Sequence, residues 1–258
     1  MLAMVPDPAP YPDVNATLAQ LLDRLDGLLG PRVLGMYLYG SLTMGDWTPE
    51  RSDIDVVVVT DSALSSDVVA GLHALHADLT AHAVPWGIQL EVSYIPAAQM
   101  RRHDPGAPPY PTIERGESVR VGAHRNGGAI QRYQLYEHGI VVAGPPVRTW
   151  VDPVTPDDLR RDVRAIAAEW LVPLSADPFG MLHPGYQAYV IPTLCRMLYT
   201  LEHGTVVSKP VAARWAMEAL DPRWRPLIAW AMGDDLQEAR AMVADVLARV
   251  GVSAPPAE

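Results

Sequence analysis

A single stretch in the first quarter of the chain constrains the fold more than any other. Residues 39–59 read YGSLTMGDWTPERSDIDVVVV. The apolar run at 33–39 predicts a strand that ends in a Gly-Ser turn, and the valine-rich run at 54–60 predicts a second strand. The backbone N–H groups and the hydroxyl of this turn, Gly40 and Ser41, form a surface suited to a phosphate.

Two aspartates stand at the start of the second predicted strand, separated by Ile54. Since successive side chains of a strand point to opposite faces, we expect Asp53 and Asp55 to project together and Ile54 to face the core. Adjacent carboxylates repel each other unless a cation lies between them, and such oxygen ligands suit Mg²⁺ bound together with substrate phosphates. The whole pattern therefore favours a magnesium–phosphate site over a solvated turn.

A third carboxylate follows on a later strand. Glu91 lies 36 residues after Asp55, within a run over 87–95 whose side chains alternate between apolar and polar. This alternation predicts a third strand, with Glu91 in its middle and on the face opposite Leu90 and Val92. A helix predicted over 66–83 separates the two strands. From this pattern alone, Glu91 is equally well an exposed carboxylate or a partner of the aspartates.

Composition limits the classes of protein that this chain can belong to. The 258 residues are 49% hydrophobic, enough for one large or two small domains with a sizeable core. The single cysteine, Cys195, excludes an internal disulfide framework and fits a reducing compartment. No signal peptide or membrane-spanning run is visible, which predicts a cytoplasmic protein with no membrane partner. A net charge of −10 disfavours nucleic acid as a partner and fits a small cationic substrate better.

The remaining pattern predicts an α+β fold with two parts. Residues 1–150 form an α/β domain with a small mixed sheet. Its further elements are a helix over 15–29 begun by Asn15 or Thr17, a Pro-rich loop over 101–112 unsuited to helix or central strand, a short strand within 117–125, a helix over 128–139 ending at Gly139, and a short strand directly after it.

Residues 151–258 predict an α-helical bundle, and the cleft between the two domains is the expected ligand site. The stretch from Thr155 to Asp158 has the hydroxyl, proline and acids of a helix start. Five helices are predicted, over 156–172, 185–203 with Pro192 inside, 208–220 capped by Ser208, 222–232 and 234–250.

The order of strand, Gly-Ser, Asp-Ile-Asp and valine-rich strand resembles the signature of the DNA polymerase beta-like nucleotidyltransferase superfamily. Residues 192–220, PTLCRMLYTLEHGTVVSKPVAARWAMEAL, resemble the C-terminal helical domain of streptomycin/spectinomycin adenylyltransferases. Together the two resemblances cover most of the chain. They imply transfer of AMP from metal-bound ATP to a hydroxyl of an aminoglycoside, with release of pyrophosphate.

The resemblance also implies roles for individual residues. Asp53 and Asp55 would ligate the Mg²⁺ that bridges the ATP phosphates. The triphosphate would be held by Gly40, Ser41, Ser52, Arg196 and Lys209. The position of Lys209 at a predicted helix start agrees with this role, because free N–H groups there favour an anion.

Glu91 has two possible roles in this scheme. It would take the proton of the acceptor hydroxyl as a general base, or it would ligate the metal together with the aspartates. A metal-bound carboxylate is not a free base, so the two roles exclude each other, and the sequence leaves both open.

The acceptor is less sharply predicted than the transfer chemistry. Streptomycin-modifying members place a Trp in the middle region, whereas this chain has none between residues 87 and 149. Two alternatives therefore stand beside an aminoglycoside adenylyltransferase. The first is nucleotidyl transfer to another small metabolite or to a protein hydroxyl, and the second is a nucleotide-binding module without turnover.

Overall fold

The structure is a computed structural model. It describes residues 2–49, 52–81, 86, 89–114, 117–122, 128–171 and 184–233. The helix predicted over 234–250 lies outside these residues. By compactness the chain divides into two units, Met1–Asp162 and Val163–Glu258. The prediction from sequence put the change of domain at residue 150, twelve residues earlier than the structural division.

Unit 1 is built on one six-stranded mixed sheet. Its strands are β1 (Val33–Tyr39), β2 (Ile54–Thr60), β3 (Leu90–Pro96), β4 (Tyr110–Ile113), β5 (Arg120–Gly122) and β6 (Ile140–Ala143). The strand order is β5-β4-β3-β2-β1-β6. Strands β2 and β3 run parallel, and every other neighbouring pair is antiparallel. This confirms the small mixed sheet expected from the sequence.

Five helices among the described residues of unit 1 accompany these strands. They are α1 (Pro12–Leu29), which precedes β1, then α2 (Ser66–Ala81), the short α3 (Ala97–Met100) and α4 (Ala129–His138), which lie between strands in the chain, and α5 (Pro156–Ile166), which follows β6 and crosses the division between the units. A π-helical turn, Ala167–Leu171, follows α5 directly. The start of α5 is as predicted: Asp158 N–H donates to Thr155 Oγ1 at 3.2 Å, and the Asp158 carboxylate accepts from Thr155 N–H at 3.1 Å.

Both faces of the sheet are buried, because the strands alternate between two apolar layers. The first face carries Met36, Val56 and Val92 and is covered by α1 and α2. The second face carries Val57 and Ile95, and packs against α4 and the segment 147–151. Burying a Val or Leu side chain contributes about 1.5–3 kcal/mol, so these two layers supply most of the stability of unit 1.

Unit 2 consists of helices whose small residues allow close packing. Its described helices are α6 (Pro184–His203), α7 (Lys209–Ala219) and α8 (Arg225–Met232). Ala212, Ala213 and Ala216 of α7 are buried against α6 and α8. Cys195 of α6 is a free, buried thiol. Within the described ranges, no helix is long and apolar enough to cross a membrane.

Some predicted boundaries were wrong. Helix α1 begins at Pro12, with Tyr11 at the N-cap position. Asn15 and Thr17 already lie inside the helix, and Thr17 Oγ1 donates to Asp13 O at 2.9 Å. Pro111 lies inside β4, contrary to the predicted loop. Pro111 is the register partner of Val121 in β5, whereas the pairing of β4 with β3 involves only Thr112 and Ile113. A proline has no N–H to donate, and here no residue of β3 is left without a partner because of it.

Two further corrections concern the predicted site. Strand β3 begins at Leu90, so Glu91 is its second residue and does not lie in the middle of the strand. Ser208 stands at the N-cap position of α7, but its hydroxyl makes no capping hydrogen bond. Pro210 in the first turn of α7 lacks an N–H, which reduces the number of donors that need a cap.

Candidate active site

Three polar side chains line up across the end of the sheet on its second face. Tyr39 is the register partner of Asp55 in the antiparallel pair β1–β2, and Asp55 is the register partner of Glu91 in the parallel pair β2–β3. Residues directly opposite each other point to the same face, with Cβ atoms about 4.5–5.5 Å apart. The register of the sheet therefore brings Asp55 and Glu91 together, although 36 residues separate them in the chain.

The turn after β1, Gly40–Leu42, is called the glycine turn below, and it closes directly over Asp55. Gly40 has φ +73°, a conformation that L side chains rarely adopt. A Cβ at this position would overlap Asp55 Oδ2 and lie 2.7 Å from Asp55 Cγ. Only glycine allows the backbone to approach the carboxylate so closely. Ser41 follows within the same short 3₁₀ turn, Gly40–Leu42, and is half-buried.

Asp53 stands just before β2 and is held through its backbone. Trp47 Nε1–H donates to Asp53 O at 3.0 Å, and the buried Trp47 ring packs against Tyr11 and Trp86 at centroid distances of 4.5 and 5.3 Å. Ser52 closes the preceding loop, because its Oγ accepts from Thr48 N–H at 3.0 Å. The structure thus gives Ser52 a role in shaping the loop beside its predicted contact with phosphate.

The electrostatics of this corner agree with its geometry. Burial raises the pKa of Tyr39 well above its usual value, and the negative charges of Asp55 and Glu91 raise it further. Both carboxylates therefore lie close enough to act on the phenol. Gln131 Nε2–H of α4 donates to Tyr39 Oη at 2.9 Å. Neither Tyr39 nor Gln131 was found from the sequence, because their importance depends on register and on packing against α4.

The protein groups of this corner could supply only some of the ligands of a magnesium ion. Among the residues whose placement is described, no group of three or more His, Cys, Asp and Glu side chains could hold a metal ion. Mg²⁺ is commonly bound by one or two carboxylates plus substrate phosphates, so the pair of Asp55 and Glu91 beside the glycine turn suits that mode. A closed cage made of protein groups alone is not required.

Arg196 and Lys209, the two predicted phosphate-binding cations, belong to unit 2. Arg196 lies on α6 and is half-buried. Lys209 is the first residue of α7, and its Nζ lies 4.4 Å from the centroid of the Tyr189 ring. Ser208 Oγ, directly before it, is buried and makes no hydrogen bond among the described residues. The N–H groups of this helix start, together with Lys209, suit an anion.

Comparison with known proteins agrees with the two-part architecture. A nucleotidyltransferase domain model matches residues 18–108, and a model of the aminoglycoside adenylyltransferase C-terminal domain matches residues 149–251. The chain therefore combines a nucleotidyltransferase domain with a C-terminal domain of the aminoglycoside adenylyltransferase type. The glycine turn, Asp53, Asp55 and Glu91 lie in the first matched stretch, and Arg196 and Lys209 lie in the second.

Curated relatives and a solved structure match along most of the chain. An aminoglycoside (3'') (9) adenylyltransferase of Shigella flexneri is 26% identical over 235 residues, 84% of this chain and 83% of the relative. A spectinomycin 9-adenylyltransferase of Campylobacter jejuni is 26% identical over 230 residues, 82% of this chain and 81% of the relative.

The solved structure is that of the spectinomycin adenyltransferase of Enterococcus faecialis with ATP and spectinomycin. It aligns with a TM-score of 0.65 and 17% identity, and covers 86% of this chain and 90% of its own. At this identity the likeness concerns the fold, and it confirms the predicted combination of a nucleotidyltransferase domain with a helical C-terminal region.

Proposed function

We propose that the protein transfers AMP from ATP to a hydroxyl of an aminoglycoside antibiotic and releases pyrophosphate. The observation that carries this proposal is the corner where the Gly40 turn closes over Asp55 beside Glu91. Such a turn presents backbone N–H groups to phosphates, next to carboxylates that suit a divalent cation. The names of the relatives supply the class of acceptor, and the acidic net charge of −10 suits a cationic drug.

The residues of unit 1 have complementary tasks in this reaction. The turn formed by Gly40 and Ser41 orients the triphosphate, and Asp53 and Asp55 are the candidate ligands for Mg²⁺. Glu91 is either a third ligand or the base described below, but not both. Bound Mg²⁺ supplies neutralisation of the charge that develops on the phosphates. In this scheme the acceptor oxygen attacks the α-phosphorus of ATP in line, the bond to the bridging oxygen breaks, and pyrophosphate leaves.

The proton of the acceptor hydroxyl has to go to a base near the attacking oxygen. Glu91, half-buried at the start of β3, is the candidate for this task. In unit 2, Lys209 and Arg196 offer positive charge to the phosphates. The start of α7 adds backbone N–H groups to that interaction.

The test is pyrophosphate release by the purified protein with ATP and Mg²⁺, measured with streptomycin, spectinomycin and kanamycin in turn. We expect release that depends on one of these drugs and disappears in the Asp53→Ala variant. Mass spectrometry of the drug should then show the added AMP and identify the hydroxyl that carries it.

Other outcomes distinguish the alternatives. ATP binding with Mg²⁺ but no release with any drug would contradict the aminoglycoside proposal and favour another small metabolite or a protein hydroxyl. If a broader panel of hydroxyl acceptors also gave no turnover while ATP still bound, the chain would be a nucleotide-binding module. Asp55→Asn would then be expected to weaken ATP binding without any activity to lose.

A further inference from the structure

Helix α4 lies in a part of the chain that neither family model matches, since the two matched stretches end at 108 and begin at 149. It nevertheless presents two buried glutamines to the second face of the sheet. The side chains of Gln131 and Gln134 belong to residues that are only 1% and 5% exposed. Burying an amide is costly unless it is hydrogen-bonded, so their partners indicate what these residues do.

The two glutamines contact both sides of the glycine turn. Gln131 Nε2–H donates to Oη of Tyr39, the residue directly before the turn, at 2.9 Å. Gln134 Nε2–H donates to Sδ of Met44, just after the turn, at 3.3 Å. Met44 N–H in turn donates to the carbonyl of Ser41 at 3.2 Å. Side chains three residues apart share one face of a helix, so a single face of α4 makes both contacts.

Helix α4 is itself held firmly in unit 1. The buried guanidinium of Arg132 donates to Met100 O at 3.1 Å and to Gln99 O at 2.6 Å. At the helix start, the Asp162 carboxylate accepts from Ile130 N–H at 3.0 Å. A charged group is tolerated in such a position only because its hydrogen-bonding groups are paired. The glutamines therefore project from a rigid support.

The contact of Gln131 with Tyr39 also bears on the carboxylates. Tyr39 is the register partner of Asp55, which pairs with Glu91. With Gln131 Nε2–H donating to its oxygen, Tyr39 keeps its own O–H proton to donate elsewhere on this face. Gln131 Oε1 is fully buried and makes no hydrogen bond within the described residues, so the amide offers an acceptor at the same place.

We propose, building on the function proposed above, that Gln131 and Tyr39 form a positioning pair that holds the glycine turn and the carboxylates of Asp55 and Glu91 in the geometry needed for metal-bound ATP. The pair touches neither the α-phosphorus nor the attacking oxygen in this scheme. It acts through the residues that do, in the way that outer partners orient the ligands of a metal.

The test compares Tyr39→Phe with Tyr37→Phe. Tyr37 lies two residues earlier on the same face of β1. Its buried hydroxyl donates to Pro145 O at 2.8 Å and accepts from Trp150 Nε1–H at 2.6 Å. Both variants lose one buried hydroxyl, but only Tyr39 borders the carboxylates. Removing an outer partner of this kind typically costs about 10–100-fold in activity or metal affinity. We expect a loss of this size in kcat for Tyr39→Phe and for Gln131→Met, with the KM for the drug unchanged. Tyr37→Phe should lower the Tm at least as much as Tyr39→Phe, because both partners of its hydroxyl lose a hydrogen bond.

A measurement of ATP binding tests the positioning role independently of turnover. Calorimetry of ATP binding at increasing Mg²⁺ should show a higher Mg²⁺ requirement for Tyr39→Phe than for Tyr37→Phe. Equal kcat and equal Mg²⁺-dependent ATP binding in these two variants would overturn the positioning role. A wild type that binds ATP with Mg²⁺ yet shows no turnover would contradict the proposed reaction alone. A wild type that does not bind ATP at all would contradict both.

Discussion

The two faces of the sheet in unit 1 are built from the same strands but serve different ends. The first face, covered by α1 and α2, is almost wholly apolar. Its buried polar side chains His76 and Tyr94 hydrogen-bond to each other, with 2.6 Å between His76 Nε2 and Tyr94 Oη. The second face is apolar in its centre, but at one end carries Tyr39, Asp55 and Glu91. Both faces thus contribute to the core, and one strand register places the candidate catalytic side chains at the end of the second face alone.

The largest effect is expected on the second face, from Glu91→Gln. A general base contributes about 10²–10⁴-fold to the rate, so kcat should fall by that amount while the Tm stays near that of the wild type. The measurement is the steady-state rate of pyrophosphate release as a function of Mg²⁺ concentration. An unchanged Mg²⁺ requirement would assign Glu91 as the base, whereas a large increase would assign it as a metal ligand. An unchanged kcat would exclude both roles.

On the first face, Leu25→Ala should show the opposite behaviour. Leu25 of α1 is fully buried, and a large-to-small substitution in a core typically costs about 2–5 kcal/mol of unfolding free energy. Urea denaturation measures this loss. Because the side chain packs on the face away from the carboxylates, kcat per folded molecule should remain within about threefold of the wild type. A large fall in kcat at full folding would break the division between the two faces.

The glycine turn offers a comparison within one loop. Gly40 and Gly45 both have positive φ, +73° and +78°, but a Cβ at Gly45 meets nothing within 4 Å, whereas one at Gly40 overlaps Asp55. Both alanine variants should lose stability through backbone strain, by about 1 kcal/mol or more. Only Gly40→Ala should also lose activity, about tenfold to a hundredfold, because the carboxylate has to move. Equal kcat in the two variants would show that the close approach does not matter.

Near neutral pH, the smallest expected effect is a pH dependence of stability that comes from the first face. Burial lowers the pKa of His76 to about 4 from its usual 6.5, with a further contribution from His73. Between these values the unfolded chain takes up a proton that the folded protein excludes. The contribution of neutral His76 to the free energy of unfolding should therefore be complete above about pH 6.5. It should fall as the pH drops toward 4, by at most about 1.4 kcal/mol per pH unit.

Urea titrations at several pH values would measure this dependence, with His76→Leu as the comparison. That variant should be less stable overall, because Tyr94 loses its partner, but its stability should fall less steeply with decreasing pH. Parallel curves for the variant and the wild type would show that His76 does not contribute. Activity per folded molecule should be the same in both proteins, since the pair lies away from the carboxylates.

Much of the fold was predictable because it depends on local patterns. The apolar runs gave β1 and β2 with the bounds that the structure shows, and the helix at 128–139 ends at Gly139 as expected. The family resemblance, read from short motifs, was confirmed by both domain matches. Helix starts were less predictable: Asn15 has a side chain typical of a cap, but it contacts Ala9 from within the helix.

The sequence alone determined which residue types were available for the chemistry: a Gly-Ser turn, two aspartates at a strand start and a glutamate on a later strand. Only the tertiary structure decided which of them meet. Strand alternation predicted Asp53 and Asp55 as a pair. The structure places Asp53 just before β2, and the register of β2 with β3 sets Glu91 directly opposite Asp55. The sequence did not indicate a role for Gln131, because the contact of its amide with Tyr39 depends on the packing of α4 against β1.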